Sequence, residues 1–266
     1  MATLLWFKRD LRLEDHPALA SVTGPVLPLY IVEPAYWRLP DTSARQWAFT
    51  AECLVELRTA LAGLGVPLVV RVGEAVAVLD ALCRAHGIRH LLSHEETGNL
   101  WTFARDRRVA DWARGAGVAW RELPQSGVVR RLGSRDGWAA RRDRFIARAQ
   151  LAPPTALEPV AGVEPGPIPS AQALRLAPDP CPYRQAGGRA AGLDALASFL
   201  TSRGEGYRAA MSSPVTGERA CSRLSPYLAL GALSGREVAQ AAAARKAERP
   251  GGGWGASLKS FEARLA

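Results

Sequence analysis

The sequence predicts an α/β fold in its first half: a five-stranded parallel sheet with helices on both faces, followed by the start of an all-helical domain. Two observations carry this prediction. Residues 1–122 alternate short, β-rich apolar runs with longer stretches of helical period, which is the pattern of βαβ units. From residue 187 onward, every apolar pattern has helical spacing. We therefore expect a Rossmann-like sheet in front of a helical region.

Each expected element follows from a local signal. The helices should each end at the glycine that follows them, namely Gly65, Gly87 and Gly115, because glycine adopts the left-handed conformation that closes a helix. The expected helices cover 44–64, 74–86 and 101–114, and the expected strands are Thr3–Phe7, Val26–Val32, 67–72, 90–93 and 118–122.

Proline marks the predicted domain boundary. Nine of the 30 residues from 153 to 182 are proline, which disfavours both helix and central strand. We expect an α/β domain over 1–125, an arginine-rich and then proline-rich linker over 126–186, and an incomplete helical domain over 187–266. The amphipathic pattern of 257–266 carries no terminating glycine or proline, so we expect the chain to stop inside that domain.

The chain has 266 residues, with 34 basic and 25 acidic side chains and a formal charge of +9. Residues 103–148 hold 12 basic and 5 acidic groups, so most of the surplus lies there. A concentrated arginine segment favours a polyanionic partner. The aspartates interleaved at helical spacing fit a solvated helix face equally well, and charge alone leaves both interpretations open.

Several classes of protein are excluded or disfavoured. The four cysteines form no CxxC pair, and no run of about 18 apolar residues or signal peptide is present, so we expect a reduced, cytoplasmic protein without a membrane partner. His86, His90 and His94 are spaced by four, but Gly87 interrupts any helix that would align them as metal ligands. The absence of dinucleotide, P-loop and nucleophile-elbow motifs leaves the catalytic residues unknown.

The most informative segment is 221–227. Ser225 is expected to cap a helix whose first residue is Pro226, and a helix N-terminus attracts anions. The hydroxyl of Ser222 and the guanidinium of Arg223 would complete a phosphate cradle. An ordinary capped helix in a bundle explains the same residues. Residues 234–237 form a capping box to which we assign a structural role only.

Two segments resemble one family. Residues 6–19, WFKRDLRLEDHPAL, are similar to the opening of the photolyase/cryptochrome flavoproteins, and 221–234, CSRLSPYLALGALS, resemble their flavin-binding signature. The resemblance implies a U-shaped FAD in the helical domain, and the usual threonine is replaced by Cys221, so we expect weakened binding. The implied cofactor-binding residues are Tyr207, Cys221, Ser222, Arg223, Leu224 and Ser225.

The resemblance also implies an activity. In photolyases, light-excited reduced FAD gives an electron to a pyrimidine dimer in ultraviolet-damaged DNA, and the lesion is flipped out of the duplex. The match extends over only about the first half of a typical member, so we expect this chain alone to bind FAD poorly or not at all and to be inactive. We expect a monomer without a protein partner.

Departures from the family pattern keep alternatives open. With the last helix aligned on 264–266, Phe261 stands where many repair enzymes have tryptophan, and Arg264, a candidate substrate-binding residue, replaces a glutamate that reads the dimer. Trp101 and Thr102 stand where folate-binding members carry Asn-Glu, so a second antenna chromophore would be of unknown identity. The alternatives are a cryptochrome photoreceptor without repair activity, and a non-enzymatic nucleotide-binding module with its ligand beyond the strand ends near 7–10 or 93–97.

Overall fold

The computed structural model describes residues 1–265. Five strands and eleven α-helices are present within this range, with short 3-10 turns at Tyr36–Arg38 and Arg203–Gly206. The strands are β1 Thr3–Phe7, β2 Val26–Val32, β3 Val69–Val72, β4 His90–His94 and β5 Ala119–Leu123. The helices are α1 Pro17–Ala20, α2 Ala44–Gly63, α3 Ala75–Ala85, α4 Leu100–Ala116, α5 Trp138–Ile146, α6 Arg189–Thr201, α7 Tyr207–Ala210, α8 Pro214–Ala220, α9 Ser225–Ala229, α10 Gly235–Glu248 and α11 Gly252–Leu265.

The sheet confirms the predicted fold class. Its strand order is β3-β2-β1-β4-β5, and every pair is parallel, with Thr3 of β1 opposite Val26 of β2 and His90 of β4. The strand order changes direction at β1. Because crossovers between parallel strands are right-handed, the helices before and after this change of direction cover opposite faces of the sheet. Strands β1 and β2 have the predicted bounds and are wholly buried; the other three differ from prediction by one or two residues at their ends.

Two of the three glycines that were predicted to close helices do so. Gly65 and Gly87 have φ of 92° and 61° and follow the cap residues Leu64 and His86 of α2 and α3. The prediction for Gly115 was wrong, because this residue continues α4 and Gly117, with φ of 65°, closes it. The N–H of Gly117 faces the carbonyls of Ala113 and Arg114, so the left-handed residue is the second glycine of the pair.

The structure divides the predicted linker 126–186 between two compact units. The α/β unit contains Met1–Gln125 and Leu151–Gly188, and the helical unit contains Ser126–Gln150 together with 189–265. The arginine-rich segment forms α5 and joins the helical unit, whereas the proline-rich segment joins the α/β unit. From residue 189 to 265 all regular structure is helical, as predicted. Within the described residues, no helix combines the length and apolar character needed to cross a bilayer.

Residues 151–188 form a strap along the α/β unit. The N–H of Val26 donates to the carbonyl of Glu158 at 2.8 Å, and the indole of Trp47 donates to the carbonyl of Pro169 at 3.0 Å. The carboxylate of Glu52 accepts from the Arg184 guanidinium and, at 2.6 Å, from the N–H of Gly187. Proline prevents regular structure here but leaves the backbone carbonyls available, so the strap is held by bonds to neighbouring elements.

Asp10 organises the exit of the chain from β1. Its Oδ1 accepts the N–H of Lys8 at 2.6 Å, and its Oδ2 lies 2.7 Å from Nδ1 of His94 and 3.1 Å from Nε2 of His16. All three side chains are almost inaccessible to solvent. The carboxylate therefore ties the residues after β1 to the end of β4 and to the start of α1.

Hydrogen bonds to the ring nitrogens that face away from Asp10 identify the tautomer of each histidine. The N–H of Ala18 donates to Nε2 of His94 at 3.2 Å, and the N–H of Leu19 donates to Nδ1 of His16 at 2.9 Å. Each of these nitrogens must carry a lone pair, so the ring hydrogen of each neutral imidazole lies on the nitrogen that faces Asp10. The histidines thus link the carboxylate to the first turn of α1.

Burial sets the protonation states of this cluster. Desolvation by burial lowers the pKa of His16 to about 3. Burial alone would raise the pKa of Asp10, but hydrogen bonds from His16 and His94 hold it below its ordinary value. Neutral His16 and ionised Asp10 are therefore the states of the folded protein near neutral pH.

A pair of glycine substitutions tests the strap and the corrected end of α4. A Cβ at Gly187 would lie 2.2 Å from the Phe49 carbonyl oxygen, so Gly187→Ala should lower the free energy of unfolding by about 1–3 kcal/mol.

Gly115 has nothing within 4 Å of its Cβ position, so Gly115→Ala should raise the free energy of unfolding by about 0.5–1 kcal/mol. Urea denaturation measures both; a destabilised Gly115→Ala would restore Gly115 as the closing residue.

The His16 cluster predicts an acid-sensitive fold. The unfolded chain binds a proton at His16 below its ordinary value of 6.5, and the folded chain does not until about pH 3, so stability should fall as pH drops through this window. One proton contributes up to about 1.4 kcal/mol per pH unit, and Asp10 extends the loss below 3.8.

His16→Asn keeps a side-chain oxygen for the N–H of Leu19 but cannot titrate, so its unfolding free energy should depend less on pH between 6.5 and 3. His86→Asn, which changes a histidine of the same unit away from the cluster, should keep the wild-type slope. Denaturation series at several pH values measure both variants, and equal slopes for His16→Asn and the wild type would contradict the assignment.

Candidate functional site

The carboxyl edge of the sheet, where ligands of open parallel sheets bind, is filled by paired charges. Lys8, directly after β1, lies 3.3 Å from Asp106 and 3.5 Å from Glu122. Its Nζ is also 4.9 Å from the centroid of the Trp6 ring. The guanidinium carbon of Arg105 lies at the same distance from that ring. Two cations therefore flank one buried tryptophan.

Arg105 holds three carboxylates at this edge. It donates to Glu33 and Asp106 at 3.0 Å and also to Glu96. Burial alone would lower the pKa of Arg105, but the charges of Glu96, Asp106 and Glu33 hold it above its ordinary value. Burial raises the pKa of Glu33. Among the described residues Arg105 is the cation that pairs with it, and this pairing offsets only part of the cost of desolvation. These groups are committed to one another, which argues against a charged ligand between them.

The Trp101-Thr102 pair makes one ring contact and two capping hydrogen bonds. The Trp101 ring lies 5.5 Å from that of Tyr36, measured between centroids. Thr102 donates its N–H to Oδ1 of Asn99 at 3.1 Å and its hydroxyl to the Asn99 carbonyl at 3.0 Å, which caps α4. A second antenna chromophore of unknown identity stays a prediction.

Within residues 1–265, one group of three side chains has metal-ligand spacing: Asp10, His16 and His94, whose ligand atoms lie within 4.8 Å of one another. The ring nitrogens that face Asp10 carry the hydrogens, and the opposite nitrogens accept from α1. A metal ion would cost both backbone hydrogen bonds, so the cluster favours a structural role. His94 faces Asp10 and His16 in this cluster.

The predicted flavin segment forms a tight loop at the start of α9. Arg223 has φ of 60°, a left-handed conformation that is rare outside glycine, and the hydroxyl of Ser222 accepts the N–H of Leu224 at 3.4 Å. The prediction that Ser225 caps the helix was wrong: Leu224 is the cap residue and no side chain caps the helix. The left-handed turn at Arg223 starts the helix one residue early, so Ser225 already lies in its first turn.

Arg203 holds this loop in place. Its guanidinium donates to the carbonyls of Cys221 and, at 3.3 Å, Ser222. It also donates to the Ala195 carbonyl and to the Ser198 hydroxyl, each at 2.9 Å. Four acceptors on two segments fix the loop relative to α6. The sequence analysis missed Arg203 because it stands outside the signature and its partners are mostly backbone atoms.

Tyr207 lies near the same loop. Its buried ring is 5.6 Å from that of Phe199 and 5.9 Å from that of Phe261, so Phe261 belongs to the core of the helical unit. Burial raises the pKa of Tyr207, whereas the positive charge of Arg264 acts in the opposite direction. Arg264 is therefore close enough to Tyr207 to affect its hydroxyl. Ala266, which completes the register used to align Arg264, lies outside the described residues.

The loop has the charge of an anion site. Burial, and then the positive charge of Arg223, lowers the pKa of Arg203, so two guanidinium groups repel each other across the loop. An anion would relieve this repulsion. Arg223 and Ser225 are exposed and Ser222 is half-buried, whereas Leu224 is buried and can offer only its backbone. The residues present fit the diphosphate of FAD, and α9, at five residues, is too short to serve as the anion site by itself.

Charge is divided unequally between the units. The helical unit carries 18 basic and 8 acidic side chains, a formal charge of +10, and the α/β unit carries 16 basic and 17 acidic, a charge of −1. The arginine-rich part of the predicted linker forms α5, which belongs to the helical unit. The whole positive surplus therefore lies in the helical unit.

The chain is similar to known proteins over both units. A family model described as DNA photolyase matches residues 3–134. A deoxyribodipyrimidine photo-lyase of Salmonella typhimurium is 42% identical over 96 residues, which are 33% of this chain and 20% of that protein. A cryptochrome DASH of Natronomonas pharaonis is 27% identical over 262 residues, 88% of this chain and 54% of that one. The chain thus spans between a fifth and about half of the length of these relatives.

Solved structures show the same fold. A class III photolyase from Agrobacterium tumefaciens matches with a TM-score of 0.81 at 23% identity, over 99% of this chain and 56% of that one. A cryptochrome from Synechocystis matches with the same score at 20% identity, over 100% of this chain and 59% of that one. Motifs, relatives and fold agree, and the chain belongs to the photolyase/cryptochrome family.

Proposed function

We propose that this chain contributes the α/β unit and the phosphate side of the flavin site to a light-driven DNA repair flavoprotein that acts on pyrimidine dimers in ultraviolet-damaged DNA. The observation that carries the proposal is the loop 221–224, which Arg203 fixes and where two guanidinium groups repel each other. The charge of +10 on the helical unit supports contact with a polyanion.

In this proposal the chain's own residues bind and orient the cofactor. The Ser222 hydroxyl and the Arg223 guanidinium would hold the diphosphate, while Arg203 keeps the loop carbonyls turned away from it. Cys221 offers no hydroxyl in the position of the usual threonine, which removes one hydrogen bond to phosphate. Reduced FAD, when bound and excited, supplies the electron that splits the dimer. We assign Arg264, exposed at the end of α11, to substrate contact.

A cryptochrome photoreceptor is the second candidate. The observation that favours it is Arg264, an arginine where repair enzymes carry a dimer-reading glutamate. The third candidate, a nucleotide-binding α/β module, loses support because the charged groups at the carboxyl edge of the sheet are paired with one another.

Light-dependent repair separates these candidates. The protein expressed from its complete coding sequence should remove pyrimidine dimers from an oligonucleotide under blue or near-ultraviolet light and not in the dark, as measured by chromatography of the digested DNA. Bound FAD without light-dependent repair would support the photoreceptor instead. A protein that binds no FAD would contradict both flavoprotein proposals.

Arg203→Gln tests the loop as a flavin site. The substitution removes charge-assisted hydrogen bonds to two loop carbonyls, an effect of about 1.5–3 kcal/mol, so FAD affinity should fall roughly 10- to 100-fold. Flavin absorbance after dialysis measures occupancy, and circular dichroism checks folding. Arg249→Gln, an equivalent change at an exposed arginine after α10, should leave occupancy unchanged. Full FAD occupancy in folded Arg203→Gln would remove the loop from the proposal.

A further inference from the structure

One face of α5 is fixed to α10 in the helical unit. The guanidinium carbon of Arg236 lies 4.4 Å from the centroid of the Phe145 ring. The Nη1 atom of Arg236 donates to the Ala149 carbonyl at 3.0 Å. The Gln240 amide donates to the carbonyls of Ile146 at 2.7 Å and Arg148 at 2.8 Å. The carbonyl of the last residue of α5 and two carbonyls just after the helix thus accept bonds from α10, which fix the end of α5.

Beside these anchored residues, α5 and the two residues that follow it carry what we call the arginine face: Arg141, Arg144 and Arg148. These residues follow a spacing of three and then four, which places them along one side of a helix, and all three are exposed. The neighbouring Asp143 pairs with Arg142 at 3.5 Å. Within residues 1–265, no carboxylate lies within 4 Å of a guanidinium nitrogen of the arginine face.

Ordinary structural roles leave most of this face unexplained. A cation near the C-terminus of a helix is stabilised by the helix dipole, but this effect is confined to the last turn. Arg144 lies in that turn, whereas Arg141 precedes it and Arg148 follows the helix. Three unpaired arginines on a unit that already carries +10 raise its self-repulsion.

The spacing of the face matches a nucleic acid backbone. Arg141 and Arg144 lie about 4.5 Å apart along α5 at about 1.5 Å per residue, and Arg148 follows the cap residue Ala147, which keeps a helical conformation, so the three span about 10 Å. One strand of duplex DNA presents a phosphate every 3.4 Å or so along the helix axis, so about three phosphates pass over this length. Each guanidinium can bind a phosphate through two parallel hydrogen bonds.

We propose that the arginine face of α5 binds the phosphate backbone of duplex DNA, independently of base sequence and of any lesion. The choice of DNA over another polyanion rests on the proposed function. The contact is separate from the flavin loop and from Arg264, and it would add affinity and association rate without reading damage.

The test measures binding of the protein from its complete coding sequence to a fluorescent, undamaged 30-base-pair duplex by anisotropy across salt concentrations. R141Q/R144Q/R148Q should weaken binding at least tenfold near 0.1 M salt. It should also reduce the slope of log affinity against log salt by about 2–3, since each lost phosphate contact removes about 0.9. The matched control R38Q/R107Q/R121Q removes three exposed arginines of the α/β unit and should leave the slope unchanged.

Further variants keep the test decisive if the triple glutamine variant does not fold. R141Q alone should reduce the slope by about 1, and R141K/R144K/R148K, which keeps the charge, should retain the wild-type slope. Unchanged binding by folded glutamine variants, or an equal loss in the control, overturns the proposal. A wild type that binds acidic lipid vesicles and no duplex overturns it as well.

A dimer-containing duplex separates this inference from the proposed function. The arginine face predicts that the triple glutamine variant loses the same factor of affinity for damaged and undamaged duplexes, so their ratio is unchanged. A wild-type ratio of one would count against lesion recognition and leave the backbone contact intact. A selective loss for the damaged duplex would place the face in the lesion site and overturn the inference.

Discussion

A single buried carboxylate, that of Asp10, determines how the α/β unit is built at the carboxyl edge of its sheet. It binds the backbone after β1 and both histidines, one from the end of β4 and one from the cap of α1. An isolated charge in such an environment would cost several kcal/mol, so the surrounding donors must all be present together. This requirement explains the dense motif of residues 6–19, in which most polar side chains are buried and bonded within the unit.

The two units use their charges differently. In the α/β unit, Lys8 and Arg105 lie beside Trp6 and are paired with the carboxylates of Asp106, Glu122, Glu33 and Glu96. In the helical unit, the guanidinium groups of Arg203 and Arg223 repel each other, and within residues 1–265 no carboxylate lies within 4 Å of the arginine face. The formal positive charge of the chain is therefore concentrated in the helical unit.

The sequence predicted what local patterns encode. Strands β1 and β2 are wholly buried apolar runs, and their bounds could be read directly. The close of α4 could not, because Gly115 and Gly117 carry the same signal and only tertiary packing selects the second. The strap 151–188 was predicted as a linker because proline density indicates irregular backbone but does not reveal its bonding partners. Arg203 and the pairing of His94 with Asp10 depend on contacts between distant positions, which no single-chain pattern shows.

The placement of α5 in the helical unit has a consequence for synthesis on the ribosome. Its anchors on α10 lie 87 and 94 positions further along the chain, with the whole strap and α6 between them. At roughly 5–20 residues per second, α5 waits about 5–20 s before Arg236 and Gln240 have been translated. During that interval nine residues with a strongly basic face have no packing partner and are too few for a stable isolated helix. The nascent chain therefore exposes this basic segment before the residues of α10 that cover one side of it have been made.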